Sequence, residues 1–122
     1  MTDKSLPFLQ DAVVAHIKPL SVNAAWKGQR FKTDDYKLYE QIAALTLPKN
    51  VEIPPGDLFV HYEFGVSSPN ADCDNHVKPF QDILQKRYGF NDRVIMGFSA
   101  RKRLVPKGAE YVAFRIEPDR RI

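Results

Sequence analysis

The sequence predicts an α+β fold, a mixed β-sheet with two helices packed on it in the order β-α-β-α-β-β. Apolar residues alternate or cluster with β-branched residues in four segments, the period changes to about 3.6 in two others, and proline or glycine punctuates the boundaries. The 122 residues suit one domain spanning 1–122, with room for a core but not for separate cofactor and substrate domains.

Ala12-Val-Val-Ala-His-Ile-Lys18 is the first strand candidate, closed by Pro19 and followed by the polar loop "SVNAAWKGQRFK". Thr33 followed by Asp34 and Asp35 starts a helix, because a hydroxyl caps free N–H groups and early acids complement the dipole. Tyr36, Tyr39, Ile42 and Ala43 share its apolar face, and Pro48 ends it. After the turn Pro54-Pro55-Gly56, the segment Asp57–Phe64 alternates Leu58, Val60, Tyr62 and Phe64 with Phe59, His61 and Glu63, as a half-buried strand does.

From Asn75 to Tyr88 the pattern is helical. Val77, Phe80, Ile83, Leu84 and Tyr88 fall on one arc, with Asn75, Lys78 and Asp82 opposite and Gly89 as the stop. Val94–Leu104 and Ala109–Ile116 complete the set, and "VPKG" between them predicts a turn joining neighbouring antiparallel strands.

The charge balance, 18 Lys and Arg against 15 Asp and Glu, permits a polyanionic partner without requiring one. A single cysteine, Cys73, excludes an internal disulfide and a four-thiolate zinc site, and it packs as a small residue pointing away from its acidic neighbours. With no leader-like or membrane-spanning apolar run, the expectation is a cytoplasmic protein with no membrane partner.

The acids concentrate in one place. "ADCDNHVKPFQD" holds Asp72, Asp74 and Asp82 with Asn75 and Lys78, and Asn91-Asp92 follows the helix. If the chain turns back, or the next strand runs beside the preceding one, Asp92 can join Asp72 and Asp74. Carboxylates about 4 Å apart repel by roughly 4 kcal/mol at an effective dielectric near 20, so such a cluster takes up protons or a hard cation such as Mg²⁺. Lys78 would then place positive charge beside a phosphoryl group, the chemistry of phosphodiester hydrolysis.

The plainer reading makes Asp72 or Asp74 a helix cap and Lys78–Asp82 an exposed pair. Its Lys-before-Asp order is the weaker one, worth at most about 0.5 kcal/mol, and Pro79 near the fourth or fifth helical position removes a donor for little structural return. An EF-hand loop from Asp72 fails at Val77 and Ile83, and a phosphatase-type Asp-x-Asp lacks a preceding strand because "VSSPNA" is a loop.

"DCDNHVKPFQDILQKRYGFNDRVI" resembles the RusA family of Holliday-junction resolvases, small endodeoxyribonucleases of bacteria and their phages. The matching positions are Asp72, Asp74, Asn75, Lys78, Asp82 with Leu84, and Asn91-Asp92; "KPLSVNAAWKGQRFKT" is similar to the family's amino-terminal loop. Ala71 stands where the family is often basic, and Asn91-Asp92 replaces a doubled acid.

The resemblance implies a Mg²⁺-dependent homodimer, with Mn²⁺ a possible substitute, that nicks four-way DNA junctions in pairs. It makes Asp72, Asp74 and Asp92 the metal ligands and Lys78 the catalytic lysine. Asn75, Asp82 and Asn91 would support them. DNA contacts are expected at Asn23, Trp26, Lys27, Arg30 and Lys32, and at Arg101, Lys102 and Arg103. His16, His61 and His76 receive no metal role. Two other functions remain in view, a module that holds branched DNA without cutting it and a phosphoesterase for small nucleotides.

Overall fold

The computed structural model describes residues 7–27 and 31–120. Its strands are β1 (Val13–Ala15), β2 (Trp26–Lys27), β3 (Phe31–Lys32), β4 (Leu58–Val66), β5 (Ile95–Leu104) and β6 (Tyr111–Pro118). The helices are a single turn α1 (Val22–Ala25), α2 (Asp34–Thr46) and α3 (Val77–Tyr88). The α+β class with a mixed sheet is as predicted. The loop after the first strand, however, contains α1 and the small β2–β3 ribbon, in which Trp26 pairs with Lys32 and Lys27 with Phe31.

The four-stranded sheet has the order β1-β6-β4-β5; β4 is antiparallel to β6 and parallel to β5. The expected turn between adjacent last strands is therefore incorrect. β4 lies between β5 and β6, and residues 105–110 carry the chain past its end, where the Val105 amide donates to the Val66 carbonyl at 2.9 Å. The turn chemistry of "VPKG" marks a reversal but says nothing about which strand fills the space between. The crossover through α3 makes β5 a parallel neighbour of β4, leaving β6 the other side.

Thr33 caps α2 as expected, accepting from the Tyr36 amide at 3.2 Å. Tyr36, Tyr39 and Ala43 are buried, but Ile42 is exposed, so the buried arc is narrower than periodicity suggested. The first strand is shorter than expected because the chain turns where the Ile17 amide donates to Ala15.

The main core lies between the sheet and the helices. Leu58, Val60, Tyr62, Phe64 and Val66 of β4 are all buried, four of them against α2 and α3 through Tyr36, Phe80 and Leu84. Phe80 meets Tyr62 edge-on at 6.3 Å and Phe114 at 5.6 Å, geometries that aromatic rings favour. Tyr111, Ala113 and Val105 form a smaller cluster on the other face. There Gly65 admits the Tyr111 ring, since a Cβ on Gly65 would stand 2.3 Å from a ring carbon.

Candidate functional site

A short 3₁₀ turn, Cys73–His76, leads directly into α3, so Asp74, Lys78 and Asp82 follow one another at four-residue steps along a continuous helical segment. Pro79 is the third residue of α3, not the fourth or fifth. In that first turn its missing N–H breaks no helical bond, and its ring is buried. The proline is thus an ordinary helix-start residue.

Gly89, with φ of 72°, reverses the chain at the end of α3, and the Asn91 side chain accepts from the Arg93 amide at 3.1 Å to cap the turn Asp92–Val94. These two devices carry Asp92 back along the helix. Lys78 Nζ lies 2.9 Å from Asp82 and 4.0 Å from Asp92. Lys78 and Asp92 are about half exposed, so water screens the pairing and it orients the groups more than it stabilises the fold. Asp72 is near Asn75, whose amide nitrogen is 3.5 Å from its carboxylate.

The acids therefore form two sets, Asp72 and Asp74 at the helix entrance, and Asp82 and Asp92 around Lys78. Among the described residues no three His, Cys, Asp or Glu side chains converge closely enough to hold a metal ion. The donors are the oxygen type that hard cations prefer, but a closed cage of Asp72, Asp74 and Asp92 is not formed within the single chain. At the second set the neutralising charge is the Lys78 ammonium itself.

Strand alternation divides the late basic run. Phe64 pairs with Lys102, placing Lys102 on the helix side, where its ammonium takes the carbonyls of Pro69 at 2.9 Å and Ala71 at 2.6 Å. Lys102 thus clasps the loop leading to Asp72. Arg101 and Arg103 lie on the opposite face, their guanidinium carbons 5.9 and 4.3 Å from the centre of the Phe8 ring. In the first basic cluster, Lys32 is 3.0 Å from Glu40 and sits over the Tyr36 ring. Asn23 is exposed on α1, Trp26 and Lys27 contribute backbone to the ribbon, and Arg30 lies outside the described residues.

Between the α1 region and the entrance to α3 is an open cavity of about 490 Å³, whose lining includes Lys18, Leu20, Asn23, Asp72, Asn75 and His76. His76 is buried, 5 % exposed, against Phe64, its ring nitrogens shielded from solvent with the Leu20 backbone as a polar neighbour. Burial pushes its pKa down, opposed by the Leu20 backbone and by the Asp72 and Asp74 carboxylates. The sequence held a signal for its position, since His76 precedes Phe80 by four residues and Ile83 by seven, on the buried arc of the helix. His16 is exposed, whereas His61 is bound by Ser99 at 2.8 Å and Glu117 at 2.9 Å on the far face.

No protein-family model matches the chain, and a search of curated proteins finds no match.

Proposed function

We propose that this protein is a structure-selective endodeoxyribonuclease that hydrolyses phosphodiesters at four-way DNA junctions, as its resemblance to the RusA resolvases implies. The observation that carries this reading is the placement of Lys78 beside Asp82 and Asp92, on a helix whose entrance holds Asp72 and Asp74. A cation fixed by two carboxylates, next to two further acids on an exposed surface, suits a phosphate backbone that must approach from solvent.

In this reading Asp72 and Asp74 hold Mg²⁺, or Mn²⁺ in its place, with DNA phosphate and water completing its coordination, a common arrangement for Mg²⁺. Bound there, the ion supplies the Lewis acidity that polarises a phosphoryl oxygen. Lys78 places its ammonium against charge developing on the phosphate or leaving oxygen. Asp82 and Asp92 orient that ammonium, which moves Asp92 from the expected metal shell to a positioning role. Asn75 orients Asp72, and Asn91 fixes the turn carrying Asp92.

Arg101 and Arg103 provide charge on the far sheet face for the DNA arms, and Asn23 and Lys27 lie in the α1–ribbon segment near the entrance to α3. Two copies suit a junction with two equivalent scissile strands. β5 supports pairing because it forms a sheet edge and exposes Phe98 and Leu104.

The test compares a fixed four-way junction with matched linear duplex, with and without Mg²⁺. Paired nicks in the junction alone, lost in Asp74→Asn and Lys78→Ala, support the reading. Normal cutting by both variants defeats the assigned chemistry. A second reading, a module that binds junctions without cutting, draws on the lack of a three-acid cluster among the described residues. Tight junction binding without nicking in either Mg²⁺ or Mn²⁺ selects it.

A further inference from the structure

Where β3, α2 and α3 come together, two lysines share one carboxylate oxygen. Lys32 Nζ lies 3.0 Å and Lys86 Nζ 2.9 Å from the same oxygen of Glu40, and the Lys86 side chain is 62 % exposed. Burial alone would raise the Glu40 carboxyl, yet hydrogen bonds from Lys86 and Lys32 hold it below its ordinary value, so it stays ionised. A single ammonium would satisfy that oxygen. The second brings two like charges together, and with Lys86 largely in water the bridge adds little to stability. An anion arriving beside the lysines relieves the repulsion.

A place for one is open next to them. Between α2 and α3 is an open hollow of about 300 Å³, lined by Glu40, Ala44, Leu47, Ile83, Lys86 and Arg87. Arg87 donates from Nη2 to the Leu47 carbonyl at 3.1 Å, which fixes its guanidinium there. With Lys32, three cations face one carboxylate, leaving two positive charges in excess. Ala44, Leu47 and Ile83 supply an apolar wall beside that charge. An open hollow covers too little of a small free ligand to retain it, whereas a polymer held at several points needs only a partial seat here. A sugar-phosphate chain offers carbons to the wall and anionic oxygens to the cations. Lys78, Asp82 and Lys86 follow at four-residue steps, so Lys86 stands about 12 Å along the axis of α3 from Lys78.

We propose that this hollow seats a phosphodiester of the DNA strand flanking the cutting site, Lys86 and Arg87 holding its oxygens while Ala44, Leu47 and Ile83 receive the sugar. The inference rests on the endonuclease reading and extends it, since it gives the bound strand a direction, along α3 from Lys78 toward α2. Glu40 keeps Lys32 and Lys86 together at the edge of that path.

The experiment uses the full chain and a fixed four-way junction, with Ca²⁺ replacing Mg²⁺ so that binding is read without cutting, over a series of salt concentrations. Each phosphate contact adds about 0.9 to the slope of log affinity against log salt. Lys86→Gln flattens the slope by about that amount, adding Arg87→Gln flattens it by about twice as much, and binding weakens equally for junctions of different sequence. Lys86→Arg keeps the native slope. Glu40→Gln removes the competing carboxylate and tightens binding by about twofold or more. The opposite sign is expected if the bridge only joins the helices, because the variant would then loosen the surface that meets DNA.

A slope unchanged in Lys86→Gln, or weaker junction binding by Glu40→Gln, overturns this inference. It leaves the two lysines as a clasp between β3, α2 and α3, and the endonuclease reading intact if the native protein still nicks junctions in Mg²⁺. Native protein that neither binds nor cuts any junction overturns both.

Discussion

Replacing Glu63 by glutamine tests how the far side of the sheet is held together. Glu63 is 1 % exposed in the middle of β4, and its carboxylate accepts from the Phe8 amide at 2.9 Å, the Leu9 amide at 3.0 Å and the Tyr111 hydroxyl. Glutamine keeps the shape but has one acceptor oxygen. In its better orientation, with the carbonyl in the Oε2 position, it retains Phe8 and Tyr111 as neutral bonds and turns an N–H toward Leu9.

Hydrogen bonds to a charged group contribute about 1.5–3 kcal/mol and neutral ones about 0.5–1.5, so two weakened bonds cost about 2 kcal/mol. The lost third bond adds about 1 kcal/mol or more. Detachment of residues 7–11 into water limits the total, giving an expected loss of about 2–4 kcal/mol in urea denaturation, with hydrogen exchange at Phe8 and Leu9 approaching that of free amides. A change below about 0.5 kcal/mol, with those amides still protected, would refute the view that this carboxylate clamps the amino-terminal segment.

Gly65→Ala forces a methyl into the Tyr111 ring on a central strand, and should cost about 1–3 kcal/mol in the same assay. Lys102→Met should leave global stability within about 1 kcal/mol, because the ammonium is exposed, yet accelerate amide exchange over residues 71–75 by about fivefold or more. Slowed junction cutting should accompany it, and unchanged exchange would deny Lys102 its clasping role. Burial raises the phenol pKa values of Tyr39 and Tyr62, and burial with the Glu63 hydrogen bond raises Tyr111 to about 12. Each folded value exceeds the unfolded value of 10.0, so this stabilisation is complete below that pH and declines as pH rises toward 12. The urea midpoint should therefore fall between pH 9 and pH 11, and a constant midpoint would contradict it.

Much of the secondary structure was legible in the sequence because local signals coincide there. Thr33 before two aspartates, the alternation from Leu58 to Tyr62 and the left-handed stop at Gly89 each act within a few residues, and each is found where expected. The acids and Lys78 were likewise visible as a group, since Asp74, Lys78 and Asp82 are separated by single helical turns. The α1 turn and the β2–β3 ribbon were hidden inside a polar stretch whose pairing is too short to leave a pattern.

Other features depended on strand partners that no local window contains. Glu63 occupies a position that alternation assigns to the polar face, and it is buried because residues 8 and 9 fold over it from 55 and 54 residues away. Arg101, Lys102 and Arg103 form one basic run along the chain, but pleating sends Lys102 to the loop before Asp72 and the arginines to the other face. Asp92 reaches Lys78 through the reversal at Gly89, whereas its distance from Asp72 and Asp74 is set by how the whole crossover packs. Sequence by itself determined which elements form and which chemistry they carry, because those follow from neighbours within one or two turns. Only tertiary structure decided which acids meet which cations, because that depends on strand order and on the path of the chain between distant segments.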